Sequence, residues 1–506
     1  MIQMLDFDRN IILNGSRAEI LGYRSTPAII NSASASVSVF TAPLSTAMVA
    51  SSATPLFLVL LHLGLFIAGA TEFHLVHLRD LAAAGHHHRL PNPANNGKLS
   101  LDLLHRDAFS GRNFSDRRHR LDHRLQRDAL RLAFLYRRLG GYHVDDFGSE
   151  VVSGLEQGSG EFFVRVGVGV PPRDQYMVVD SGSDIVWIQC RPCAQCYAQS
   201  DPVFDPAESA SFARVACSSP ICGFLVSGDS GCYAGDCRYE VSYSDGSYTR
   251  GTLALETLTF GNVAVRDVAI GCGHSNRGLF VGAAGLLGLG WGPMSFVGQL
   301  GGQAGGAFSY CLSSRGGGGA AAGSLIFGRT SAVPVGAVWV PLTRNLRAPS
   351  FYYVRLVGLG VGGWRLPVRE DVFRLSEEGE GGVVMDTGTA VTRLPPTAYA
   401  TLRDAFASAT AGLPRAPATS IFDTCYDLSG YESVRVPTVS FYFAGGAILT
   451  LPARNFLIPV DDAGRFCFAF APSTSGLSIM GNIQQEGIQI TFDAANGFVG
   501  FGPNTC

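Results

Sequence analysis

The chain has 506 residues, 38 basic against 41 acidic side chains, a net charge of −3, and 46% hydrophobic against 16% charged residues. That length supplies roughly two to four domain-sized units. The apolar share excludes a chain disordered throughout, and the charge balance argues against a nucleic-acid partner. All 12 cysteines fall between Cys190 and Cys506, nine of the 11 histidines precede residue 124, and Lys98 is the one lysine. Split at residue 144, the chain joins a leader of net charge +6 to a body of net charge −9.

In chain order, the first marked segment is Pro55–Ala70, sixteen uncharged residues ending in Ala68-Gly69-Ala70. A membrane span needs about 20 such residues, whereas a small-x-small ending suits signal peptidase. Residues 1–70 are therefore expected to be an N-terminal extension and signal peptide, leaving no stable membrane anchor. Met48 is an alternative start, which would make residues 1–47 dispensable. The triplet His86–His88 sits in a polar linker and reads as solvated rather than as a metal site.

Between Leu101 and Leu139 there are ten arginines against five aspartates. Leu121, Leu125, Ala129, Leu130, Leu132 and Leu135 recur at helical spacing, which predicts one or two amphipathic basic helices. Composition leaves two readings open: a solvated connector, or a propeptide lying on an acidic partner until the pH falls.

From about Gly158 the pattern changes to short Val/Ile/Leu/Phe/Tyr runs cut by glycine and proline, which predicts a mainly β body. Pro396–Ala411 is the clearest helical segment, and Gly316–Gly323 reads as a flexible surface loop. The body also repeats itself. Val178-Val179-Asp180-Ser181-Gly182-Ser183 is echoed by Val384-Met385-Asp386-Thr387-Gly388-Thr389. Leu286-Leu287-Gly288 ends 108 residues after Asp180, and Ile479-Met480-Gly481 ends 95 residues after Asp386. Two similar lobes follow, each offering one carboxylate where a strand enters a turn, with Gly182 and Gly388 expected to permit a tight bend.

Histidine scarcity removes most hydrolytic alternatives, because Ser/His/Asp and Cys/His catalysis need a positioned imidazole. The body has only His274 and, at its edge, His143. Gly228-Asp229-Ser230-Gly231 resembles a serine-protease nucleophile segment but lacks the upstream histidine motif. Cys190, Cys193 and Cys196 have the spacing of metal ligands. Behind a signal peptide, disulfides explain them better, so no metal is expected. No phosphate-binding glycine loop opens a helix, so no cofactor is expected. Two aspartates from equivalent positions remain. Carboxylates brought close together share a proton, giving one base and one acid around a single water.

With both triplets and their downstream apolar-Gly partners, the body from about Gly158 to Cys506 resembles a pepsin-like aspartic protease of the plant nepenthesin-like subgroup. The resemblance implies a bilobal acid protease fold, two pseudo-symmetric β lobes with the active-site cleft between them, and catalysis by Asp180 and Asp386. It implies that Ser183 and Thr389 support the carboxylates and that Ser181 and Thr387 lock the two loops together. Tyr243, Asp245 and Gly246 fall in a flap over the cleft, with Trp187 bonded to Tyr243. The insertion carrying Cys190, Cys193, Cys196, Cys217, Cys222, Cys232 and Cys237 resembles a segment of that subgroup. Several of these cysteines should pair locally, Cys425 should bridge to Cys467, and Cys272, Cys311 and Cys506 stay unassigned. Leu101–Asp107 resembles the start of the subgroup's propeptides.

The expected layout is then propeptide at 71–150, N-terminal lobe at 151–345 and C-terminal lobe at 346–506. The expected protein is a monomer that cleaves peptide substrates at acidic pH and binds its own propeptide. It would be secreted or vacuolar, with the chloroplast as a further destination. The alternative is a catalytically inactive relative that inhibits a glycosidase such as xylanase.

Overall fold

The computed structural model describes residues 71–82, 99–109, 116–139 and 162–503, except 226–229, 244–246, 279, 281, 302–304, 313–322 and 329–335. The signal segment, the histidine triplet and most of the glycine-rich loop lie outside these residues.

Each lobe is built on one repeat of the sequence. In the first, Arg173–Asp180 buries Met177, Val178 and Val179. It runs parallel to Gly285–Gly288, with Gly288 opposite Asp180. In the second, Val383–Met385 runs parallel to Ser478–Met480, and Asp386 follows immediately. The apolar-Gly motifs recur at matching distances because each lays a neighbouring strand beside an aspartate-bearing one. Near-continuous apolar runs such as Phe162–Val168, where only Arg165 is exposed, mark strands covered on both faces.

The lobes share a six-stranded antiparallel sheet. Its order is Val338–Thr343, Phe498–Pro503, Ile488–Asp493, Ala307–Leu312, Gly323–Phe327 and Leu99–His105. Phe308 stacks on Phe492 across the junction, at 5.0 Å between ring centroids. The helix Pro396–Ala409 begins on proline, whose fixed φ suits a first turn, and buries Ala398, Leu402 and Phe406 at four-residue spacing.

Leu99–His105 belongs to the basic leader, where helix was expected. Leu101 and Leu103 point inward while Asp102 is exposed, a period-two pattern that the sheet edge rewards over helical propensity. The strand continues its pairing to Phe162 and Phe163. A second leader strand, Phe73–His77, pairs with Ser433–Pro437 of the C-terminal lobe. The predicted amphipathic helix is present as Arg117–Leu139, 23 residues or about 35 Å long. Asp116 caps it by accepting from the His119 backbone N–H at 2.8 Å.

Five described disulfides join Cys190–Cys272, Cys193–Cys196, Cys217–Cys232, Cys222–Cys237 and Cys425–Cys467. Local pairing holds for six of the seven insertion cysteines, while Cys190 reaches out to Cys272. Cys311 is also disulfide-bonded, and Cys506 lies outside the described residues. Among the described residues no helix is long and apolar enough to cross a membrane.

Candidate active site

The two repeated triplets meet where the lobes join. Ser181 Oγ lies 3.2 Å from Thr387 Oγ1, and it accepts from the Thr387 backbone N–H at 3.2 Å. The reciprocal bond from the Ser181 N–H to Thr387 Oγ1 measures 3.4 Å. A hydroxyl is needed at both positions, because each loop must offer donor and acceptor to the other.

The carboxylates beside them are supported unequally. Asp180 Oδ1 accepts from the Gly182 N–H at 2.9 Å. Asp386 Oδ2 accepts from Thr389 Oγ1 at 2.6 Å. The matching hydroxyl of Ser183 makes no such bond: its Oγ is buried without a hydrogen-bond partner.

The chain does turn at Ser181-Gly182 and bend at Thr387-Gly388, but neither glycine has a positive φ, so the bend by itself does not demand glycine. They are required for space. A Cβ on either would collide with the guanidinium of Arg131, which sits between the two loops.

That guanidinium dominates the site. Arg131 Nη2 donates to Asp180 Oδ1 at 2.8 Å and to Asp386 Oδ1 at 2.6 Å, and Nε donates to Asp386 Oδ2 at 2.9 Å. The two carboxylates are close enough to share one nitrogen. Burial alone would lower the Arg131 pKa, but the charges of Asp180 and Asp386 raise it. For Asp386, burial acts upward and is outweighed by Arg131 and Thr389, which hold the carboxyl below its usual range.

The helix carrying Arg131 is anchored along its length. Arg117 pairs with Asp462 at 3.0 Å, and Arg124 pairs with Glu486 at 2.7 Å and with Asn482. With Arg131, these arginines form a row at seven-residue spacing, two helical turns per step, on one side of the helix. Leu121 and Leu125 pack on Val391, Phe422 and Ile458, while Leu132, Leu135 and Leu139 pack on Phe351, Val384 and Ile479. Between them, Asp128 accepts from the backbone N–H groups of Ala390 and Val391 and from Arg393.

Trp187 Nε1 donates to Tyr243 Oη at 2.9 Å, and both rings pack against Phe280. Asp245 and Gly246 lie outside the described residues. Sequence reasoning passed over several residues that hold the loops. Asp184 accepts from the Gly292 N–H at 3.0 Å and from Ser350 Oγ at 2.6 Å. Asn482 donates to Thr387 O at 2.9 Å, and Gln485 donates to Met480 O at 2.8 Å. Arg131 and Asp128 were also passed over, although the seven-residue spacing of Arg117, Arg124 and Arg131 was visible.

Two family models cover the body. One, described as xylanase inhibitor N-terminal, matches residues 162–329, and the other, xylanase inhibitor C-terminal, matches 351–503. Protein ASPARTIC PROTEASE IN GUARD CELL 2 of Arabidopsis thaliana is 65% identical over 421 residues, covering 81% of this chain and 88% of its own. Aspartyl protease family protein 2 of the same plant is 50% identical, covering 81% and 85%. Aspartic proteinase nepenthesin-2 of Nepenthes gracilis is 39% identical, covering 70% and 81%. Among solved structures, edgp aligns with a TM-score of 0.55 at 18% identity, over 68% of this chain and 91% of that one. Conglutin gamma from lupine seeds aligns at 0.54 and 21%, over 68% and 92%. These two share the fold.

Fold and relatives together define a pepsin-like aspartic protease, an aspartic-type endopeptidase. Within that class, the chain belongs to the plant family that includes the nepenthesins.

Proposed function

We propose that the chain is the latent precursor of an acid endopeptidase whose catalytic pair is Asp180 and Asp386. In the opened enzyme the pair holds one proton and one water. The ionised carboxylate takes a proton from the water as it attacks the scissile carbonyl, and the protonated one donates to the carbonyl oxygen. The proton belongs to the pair, so neither residue owns a separate pKa. Ser181 with Thr387 keeps the loops in register, Thr389 supports Asp386, and Tyr243 with Trp187 forms the base of a flap over the substrate.

The observation that carries the reading is Arg131, whose guanidinium takes the place of water and substrate between the carboxylates. Residues 71–150 act as a propeptide, and the +6 leader is drawn to the −9 body by the row of leader arginines facing Asp462, Glu486 and the pair itself. Acid breaks this attraction by protonating the carboxylates that face the leader arginines. The lobes at 151–345 and 346–506 then form a secreted or vacuolar monomer, a setting that suits the disulfides.

The test is acidification of the purified chain to about pH 3–5, the working range of a shared-proton pair. N-terminal sequencing of the product and assay on a denatured protein, with and without pepstatin, then follow. Processing and pepstatin-sensitive cleavage are expected, both lost in Asp386→Asn. Cleavage that survives Asp386→Asn refutes the assignment.

A further inference from the structure

Asp128 lies three residues before Arg131, an axial rise of about 4.5 Å, so its carboxylate is seated within one helical turn of the catalytic pair. Its Oδ1 accepts from the Ala390 N–H at 2.6 Å and the Val391 N–H at 3.1 Å, and its Oδ2 accepts from Arg393 Nη2 at 2.5 Å. All three donors stand on the segment that runs on from Asp386-Thr387-Gly388-Thr389. The Arg393 side chain is 9% exposed, and its Nε has no hydrogen-bond partner.

Among the described residues, Asp128 supplies the carboxylate that pairs with Arg393. Opposite it on the paired strands stand Ala471 and Ile479, which carry no charge. Tyr399 faces it from the helix Pro396–Ala409, and the Asp423 carboxylate behind Tyr399 is engaged by Tyr399, Thr424 and Arg403. Departure of the leader helix would uncover the Arg393 guanidinium and the two convergent backbone N–H groups and remove their acceptor. Three donors fixed at one point form charge-assisted hydrogen bonds with a new carboxylate that enters.

We propose that Ala390, Val391 and Arg393 form an anion-recognising subsite of the activated enzyme, which takes the side-chain carboxylate of an aspartate or glutamate in the substrate. In the intact chain Asp128 occupies this subsite, as Arg131 occupies the catalytic pair. The inference rests on the reading that the leader is released. An extended peptide advances about 3.3 Å per residue, so the acidic residue stands within about three residues of the cut. The subsite distinguishes glutamate from glutamine: three donors suit two carboxylate oxygens, whereas an amide turns its own NH₂ against them.

The experiment uses acid-processed enzyme whose new N-terminus has been sequenced. kcat/KM is measured for peptide pairs that differ only by Glu or Gln at each of the positions flanking the cut. One position is expected to favour Glu by about tenfold or more at pH 5, the usual gain from a hydrogen bond to a charged group. In Arg393→Gln the Glu/Gln ratio should fall to about one. A wild-type ratio of one or less at every position overturns the proposal, as does a preference that Arg393→Gln leaves intact. If that variant does not fold, the wild-type ratios decide. Processed enzyme that cleaves no peptide and no denatured protein would refute the protease reading, and this subsite with it.

Discussion

At the scale of single residues, closure of the site is a contest of protonation. Asp386 is held below the usual carboxylate range in the closed chain. Its contribution to closure is therefore complete above about 3.9, the ordinary value, and is lost as the pH falls through the depressed one. Asp128 has the opposite sign. Burial lifts it, against Arg393 and two backbone amides, so its contribution is complete below about 3.9 and declines as the pH rises through the raised value. On the proposed function, acid opening comes from the Asp180–Asp386 pair and is opposed by Asp128. Arg131→Gln leaves two buried carboxylates without their cation, a loss of about 3–5 kcal/mol of closure. The processed fraction against pH should show a higher midpoint and a shallower transition for this variant. An unchanged curve would mean that Arg131 does not hold the site shut.

At the scale of elements, the leader helix is held by its leucines as much as by its charges. Leu135 is fully buried against Phe351, Tyr353 and Leu477. Leu135→Ala should weaken docking by about 2–5 kcal/mol, the usual cost of such a cavity. Precursor processing should then begin at higher pH. The thermal stability of the processed enzyme should match wild type, because the substituted residue has left with the leader. A lower Tm after processing would place residue 135 in the mature protein and refute the propeptide boundary. The strand Leu99–His105 works differently, since it completes the shared sheet by backbone pairing and closes an edge that Gly323–Phe327 would otherwise expose.

At the scale of the whole molecule, the disulfides constrain unequal lengths of chain. Cys190–Cys272 closes 82 residues and Cys193–Cys196 closes three. On a loop-entropy account their removal costs about 4.5 and about 1.6 kcal/mol respectively. Calorimetry of the two paired Cys→Ala variants should therefore show a clearly larger fall in Tm for the first. Equal falls would mean that local packing, rather than chain constraint, sets the value of these bridges.

The mainly β body, the two lobes and the paired aspartates were legible in the chain itself. A strand patterned for burial on both faces, an Asp-hydroxyl-Gly turn and an apolar-Gly partner are local features, and the duplication displayed each of them twice. The bridge from Cys425 to Cys467 follows from the family resemblance rather than from any local feature, and the partner of Cys190 was left open, because the 82 residues to Cys272 carry no local signal. The leader gave up its helix through the leucine spacing. It did not give up the strand at Leu99–His105, because that segment becomes a strand only by finding the edge of a sheet built from distant residues. What tertiary structure alone decided was which charges meet. Arg131 is one arginine among ten in its segment until the fold brings it between Asp180 and Asp386, 49 and 255 residues away. Asp128 gains its meaning in the same way, from Arg393, 265 residues further along. Composition sets the sum of charge, but pairing depends on distance and burial, and those exist only once the chain has folded.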